Sequence, residues 1–350
     1  MADSERHAAL RAHLLAGQVI PAHPLALTAE RTLDERHQAA LTRYYVEAGA
    51  GGIAVGVHTT QFAIRRPEYA LYRPVLELAA VTARAACADR AAPFVLVAGV
   101  IGDTRQAVAE AEVAASLGYD VALLSLGALA GATDAALVAH CRAVADVLPL
   151  FGFYLQPAVG GRVLSYDFWR QFAGIERAWA IKIAPFNRYQ TLDVVRAVAD
   201  AGRDDLALYT GNDDAIIADL LTPFPVDGGT RHIVGGLLGQ WAVWTHTAAG
   251  LLSRAHAARG GALGSDWLRD AAALTDANGA IFDAPHSFAG CIPGIHEVLR
   301  RQGLLRGTWC LDPREQLSPG QAGEITRVCQ AYPELTDDAF VREHLDRWLA

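Results

Sequence analysis

The chain of 350 residues has one lysine, Lys182, although thirty of its residues are basic; every other basic residue is arginine. Charged residues make up only 19% and hydrophobic ones 52%, which excludes a disordered chain and predicts a large buried core. The net charge of −8 gives no sign of the basic face a nucleic-acid partner would usually need, so none is expected. Cysteine is sparse: Cys87, Cys141, Cys291, Cys310 and Cys329 are scattered with no C-x-x-C pair, which excludes a zinc knuckle and a thiol–disulfide motif. Their odd number, with no apolar leader in MADSERHAALRAHLLAG, points to a reducing cytoplasm. No apolar run reaches the length of a bilayer span, so no membrane association is expected. H-x-H and H-E-x-x-H pairs are missing despite twelve histidines, which argues against a metal centre. No G-x-G-x-x-G follows the first strand, which removes the usual sign of a dinucleotide fold, and no cofactor is expected.

What is present alternates. Short apolar runs lie at 18–27, 51–57, 94–100, 120–126, 148–155, 178–184, 206–211 and 231–237, without strict in–out alternation, as strands of a buried parallel sheet read. Amphipathic stretches fall between them. ERTLDERHQAALTRYYVEAG closes on Gly49, and DTRQAVAEAEVAASLG offers Asp103 as N-cap and Gly118 as its stop. Eight strand–helix units predict an α/β fold, a (β/α)8 TIM barrel with a short N-terminal helix over residues 1–240. Beyond residue 241 only helical patterns remain, so 241–350 is expected to be a C-terminal helical extension packed on the barrel.

Arginine stays protonated at any working pH and cannot act as an amine nucleophile; lysine can when burial lowers its pKa. A bias that removes lysine wherever only charge is needed leaves one where a free amine is needed. Lys182, in WAIKIAPFN near the end of the sixth strand, is placed to reach the barrel mouth, where such barrels do chemistry. The alternative is a surviving lysine that merely pairs with a carboxylate. The apolar neighbours Trp179, Ile181 and Ile183 would lower its pKa in the useful direction.

Five stretches, in order, carry a resemblance. EAGAGGIAVGVHTTQF, FYLQPAVGG, AIKIA, YTGNDDAI and the tail GIHEVLRRQGLL with LSPGQAGEI resemble the dihydrodipicolinate synthase / N-acetylneuraminate lyase family of Schiff-base aldolases, over roughly residues 18–330. The resemblance implies a lyase whose Lys182 condenses with pyruvate or another 2-oxo acid. Tyr154, 28 positions before Lys182, matches the family's catalytic tyrosine and would shuttle protons. Thr59 and Thr60 match the pair that holds the substrate carboxylate. Gly160 and Gly161 match the loop beside the site, and Gly211 closes the seventh strand.

The departures are as informative. His58 stands where the family has glycine, and reads equally as a substrate contact or as a packed residue filling that space. Leu155 replaces an asparagine, LSLGALAGA lacks the second relay tyrosine, and Val159 replaces a substrate-binding arginine that Arg162 stands three positions away from. These losses speak against the lysine-biosynthetic reaction and leave the Schiff-base half intact. His23, Phe186, Asn187, Tyr209 and Asn212 are further candidates for shaping the pocket of an aldehyde or sugar-acid second substrate. The alternatives are a catalytically degenerate keto-acid or sugar-acid binder, and a metal-dependent barrel hydrolase. The resemblance also implies a homo-oligomer, tetramer or dimer.

Overall fold

The structure, a computed structural model, describes the backbone from Ala2 to Ala350 and the side chains from Glu5 onward. Eight parallel strands form the barrel: Val19–Pro21, Gly52–Val55, Val95–Val100, Val121–Leu124, Leu150–Leu155, Ala178–Ala184, Ala207–Thr210 and Gly235–Leu238. The first strand pairs with the eighth, and an Ala22–Ala54 bridge joins the first to the second and closes the ring. The expected (β/α)8 barrel with a helical extension is the observed architecture.

The eighth strand differs from expectation. Of the 231–237 run, only its end is barrel strand, which continues to Leu238. Gly229–Arg231 instead pairs antiparallel with Phe224–Val226. The two residues between them, Asp227 and Gly228, are the Asp-Gly pair that tight hairpins favour, and Gly228 has a φ of +80°.

Side chains alternate between two apolar layers. Ile20, Val97, Leu123, Phe151, Phe153, Tyr209 and Leu237 fill the barrel. Ile53, Val55, Leu96, Leu124, Tyr154, Ile181 and Ile183 face outward under the helices. The N-terminal helix Ala2–Leu15 covers the N-terminal end of the strands: Leu10 and Leu14 are buried there, the Leu14 carbonyl accepts from the Tyr209 hydroxyl at 2.8 Å, and His7 meets Trp179 edge-on at 5.3 Å. Only the opposite end of the barrel is left for chemistry.

The tail helices do not stand apart. Asp337 accepts from the Tyr44 hydroxyl at 2.7 Å and from the His246 and Thr247 backbone N–H groups at 2.7 and 2.9 Å, tying the last segment to two earlier helices. Trp348 in the final helix, Asp338–Leu349, packs against Tyr44 at 5.3 Å. Among the described residues no helix is long and apolar enough to cross a membrane.

Candidate active site

Which side chain of the fifth strand faces the lysine follows from one irregularity. Leu150 pairs with Ala178, an offset of 28, but Phe151 pairs with Ala180 and Phe153 with Lys182, an offset of 29. Trp179 is the extra residue. Side chains alternate with period two, so one inserted residue reverses which face of the fifth strand meets the inward face of the sixth. Phe153 therefore points inward with Lys182, and Tyr154 pairs with Ile183 and points outward.

Lys182 is buried, its Nζ lies 4.5 Å from the Phe153 ring centroid, and among the described residues it has no carboxylate oxygen within 4.0 Å. Burial brings its pKa down to about 8 from 10.5, against an opposing pull from Asp213. It opens on a cavity of about 60 Å3, room for a few water-sized groups. His58, Thr59, Phe153, Gly211, Asp213 and Cys291 share that cavity with it. A larger cavity of about 350 Å3 lies between tail helices, but it holds no amine, and its Arg254 and Asp270 are paired at 3.0 Å.

Gly211 is where it is for space. A Cβ there would lie 2.6 Å from Lys182 Cε and 2.7 Å from Ala184 Cβ. Thr59 lines the cavity, and its hydroxyl donates to the Ala22 carbonyl at 2.7 Å. Thr60 does not line it; its hydroxyl donates to the His23 carbonyl at 2.7 Å and accepts from the Gly56 N–H at 3.0 Å, which fixes the turn that presents Thr59. His58 faces the cavity, and among the described residues its ring makes no hydrogen bond; burial and the Lys182 charge both lower its pKa, favouring the neutral ring.

The rest of the expected site is elsewhere. The Tyr154 hydroxyl is buried in the outer layer, donating to the Leu164 carbonyl at 3.1 Å and accepting from the Leu164 N–H at 3.2 Å. It cannot serve a reaction at Lys182. We expect Tyr154→Phe to cost about 1–2 kcal/mol of stability, because the Leu164 groups lose their buried partner, and to leave chemistry at Lys182 at the parent rate; thermal melts and adduct kinetics check both. Gly160 and Gly161 shape the rim loop without lining the cavity: a Cβ on Gly161 would lie 1.8 Å from the Leu155 carbonyl oxygen. Arg162 donates to the Leu129 and Ala132 carbonyls and braces the preceding loop rather than replacing a substrate-binding arginine.

Of the remaining candidates, Phe186 lines the cavity. His23 is fully buried, bonded to Thr42 at 2.9 Å and Pro24 at 2.8 Å. Tyr209 sits at the barrel bottom, Asn187 caps the helix Arg188–Asp200, and the Asn212 amide bonds Asp219 and Phe186 N–H. Ile181 and Ile183 face away from Lys182, and Trp179 lies at the far end; the apolar contact of the amine is the Phe153 ring, and Ala184 lines the same cavity.

Phe153, Asp213, Cys291 and Phe288 are among the cavity residues that were not anticipated. Phe153 is Tyr154's neighbour, exchanged for it by the inserted residue. Asp213 follows the seventh strand within YTGNDDAI; burial raises its carboxyl to about 7 against the opposing Lys182 charge. Cys291 opens the tail helix Cys291–Arg301, and burial keeps its thiol protonated. Among the described residues no group of three metal-ligating side chains occurs.

No protein-family profile matches this sequence, and no curated protein matches it. Solved structures share its fold. YagE, a prophage protein belonging to the dihydrodipicolinic acid synthase family from E. coli K12, in complex with pyruvate, aligns at 19% identity over 91% of this chain and 98% of its own, with a TM-score of 0.71. Dihydrodipicolinate synthase from Oceanobacillus iheyensis aligns at 18% identity over 93% and 99%, TM-score 0.71. N-acetylneuraminate lyase from Fusobacterium nucleatum aligns at 15% over 91% and 99%, TM-score 0.69.

Proposed function

We propose that this chain is a divergent Schiff-base lyase of the dihydrodipicolinate synthase / N-acetylneuraminate lyase type, in which Lys182 condenses with pyruvate or another small 2-oxo acid. The observation that carries the reading is the only lysine of the sequence, buried at the open end of the barrel on a cavity, with no ion-pair partner among the described residues and a pKa lowered by burial. A neutral amine attacks the keto carbon, water leaves, and the resulting iminium draws electrons from the adjacent carbon. That electron sink serves retro-aldol cleavage, condensation with an aldehyde, or dehydration. Thr59 lines the same cavity and is the residue we assign to the substrate carboxylate, through its backbone N–H, because its hydroxyl proton is given to the Ala22 carbonyl.

The test is borohydride reduction in the presence of a panel of 2-oxo acids, followed by intact mass and peptide mapping. One reduced adduct on Lys182 is expected. No adduct with any member of the panel, or one on the N-terminal amine, refutes the reading. The pH dependence follows from the sign of the shift. The protonated amine is inert, so the amine-attack step slows tenfold per pH unit below about 8 and gains nothing further above it. An ordinary lysine would still be gaining rate at pH 10.

One observation favours a second reading. Among the described residues no tyrosine lines the cavity, so a keto-acid binder that forms the imine without turnover fits the same geometry. Adduct formation without release of product from any second substrate would select it.

A further inference from the structure

The outward turn of Tyr154 leaves the reaction without its expected proton carrier. Imine formation needs one: the carbinolamine hydroxyl leaves as water only if it receives a proton, and the iminium becomes a nucleophilic enamine only if C3 loses one. Among the described residues, the proton-exchanging side chains on the cavity besides Lys182 are His58, Asp213 and Cys291.

Asp213 has the geometry for the task. It follows the seventh strand, which pairs with the strand of Lys182, and both side chains line one cavity. Their charged ends are not paired: no Asp213 carboxylate oxygen lies within 4.0 Å of Lys182 Nζ, and both groups face the same cavity. Gln240 N–H reaches Oδ1 at 3.4 Å, while Oδ2 has no hydrogen-bond partner among the described residues.

Resting on the Schiff-base reading, we infer that Asp213 is the acid and base of this site. The Asp213 carboxyl proton goes to the carbinolamine oxygen as the C2–O bond breaks, giving water, the Lys182 iminium and the Asp213 carboxylate. The carboxylate then takes a proton from C3 as the C2=C3 bond forms and the C=N electrons return to nitrogen, giving the neutral enamine and restoring the acid. No proton is gained or lost over the two steps. Burial that raises the carboxyl into the neutral range suits a group that must hold a proton in one step and lack it in the next. Cys291 stays a protonated thiol, and the neutral His58 ring has no proton to spare for the leaving hydroxyl beyond its ring N–H.

Enamine formation can be read without a second substrate, as the exchange of pyruvate methyl protons for deuterium in 2H2O, followed by proton NMR. The parent should exchange the methyl protons, and Asp213→Asn should slow exchange by about 100-fold or more while remaining folded by thermal melt. Asp213→Glu, which keeps a carboxyl, should recover at least part of the loss. Asp213→Ser is the second carboxyl-free variant, and either one that folds decides the matter. Exchange at the parent rate in a carboxyl-free variant overturns the inference and leaves the Schiff base standing. Loss of exchange in His58→Gln with Asp213→Asn unaffected also overturns it, assigning the proton to His58. A parent that forms no borohydride adduct and shows no exchange fails at the Schiff base, and the inference fails with it.

Discussion

Lys182→Met is expected to fold at least as stably as the parent at pH 7 and to form no reduced adduct with any 2-oxo acid. The loss of chemistry in the barrel is complete because the sequence holds no other lysine. The stability argument runs through the proton. Burial lowers the folded-state pKa to about 8, while the unfolded chain keeps the ordinary 10.5. The unfolded chain therefore binds more protons between those values, and the parent gains stability as pH rises through that window. Methionine removes a cost that is full below about pH 8 and gone above about 10.5. A gain of about 0.5–2 kcal/mol at pH 7, fading toward pH 10.5, is the expected pattern in denaturant melts. Asp213 loses its nearby positive charge in this variant, but its raised pKa lets it take up a proton instead. Lys182→Arg separates charge from amine: it keeps the cation, forms no adduct, and is less stable than Lys182→Met because the guanidinium must stay charged in a cavity of about 60 Å3. A Lys182→Met protein that unfolds, or one that still traps pyruvate, would show that the lysine is a structural group.

Such a trade of stability for a usable amine explains why the lysine was legible in the sequence at all. On the Schiff-base proposal, a chain that otherwise writes positive charge as arginine keeps an amine where charge alone is insufficient. The barrel was legible because buried parallel strands need continuous apolar runs, and each run overlaps a barrel strand. The exceptions were local. The hairpin across Asp227 and Gly228 displaced the start of the eighth strand to Gly235, because a two-residue turn outranks the apolar character of the residues after it.

Tyr154 was misplaced by a cause no spacing reveals. The count of 28 from Tyr154 to Lys182 matches the pairing of Leu150 with Ala178, and it would hold to the strand end but for Trp179. Whether a strand absorbs an extra residue depends on what packs on both faces, and here Trp179 meets His7 from the N-terminal helix. Cys291 and Phe288 were invisible for the opposite reason: they reach the mouth from a tail about 100 residues beyond Lys182, and only the packed fold brings them there. Asp213 was in view within YTGNDDAI, and its position just after a strand that neighbours the lysine was the signal.

Gly211→Ala should lower the adduct rate by about 100-fold while the protein remains folded. The usual reason for a strand-end glycine, a turn that needs positive φ, does not apply, since Gly211 is not among the positive-φ glycines. The reason is steric. The new Cβ would lie 2.6 Å from Lys182 Cε, 3.0 Å from its Cγ and 2.7 Å from Ala184 Cβ. The lysine can swing, but Ala184 Cβ is fixed to the sixth strand, so the methyl is relieved chiefly by pushing the amine off its path. Overpacking of this kind costs about 1–3 kcal/mol, and an ångström of displacement at a reacting atom costs about 100-fold. Gly160→Ala is the contrast: its φ is +89° and nothing lies within 4 Å of the added methyl, so only backbone strain of about 1–2 kcal/mol is expected, with the adduct rate kept. Melting curves and borohydride-trapping rates on the two variants give four numbers. Equal losses of stability with unequal losses of rate are the signature of a glycine kept for the lysine's reach, and a Gly211→Ala protein that traps pyruvate at the parent rate removes that role.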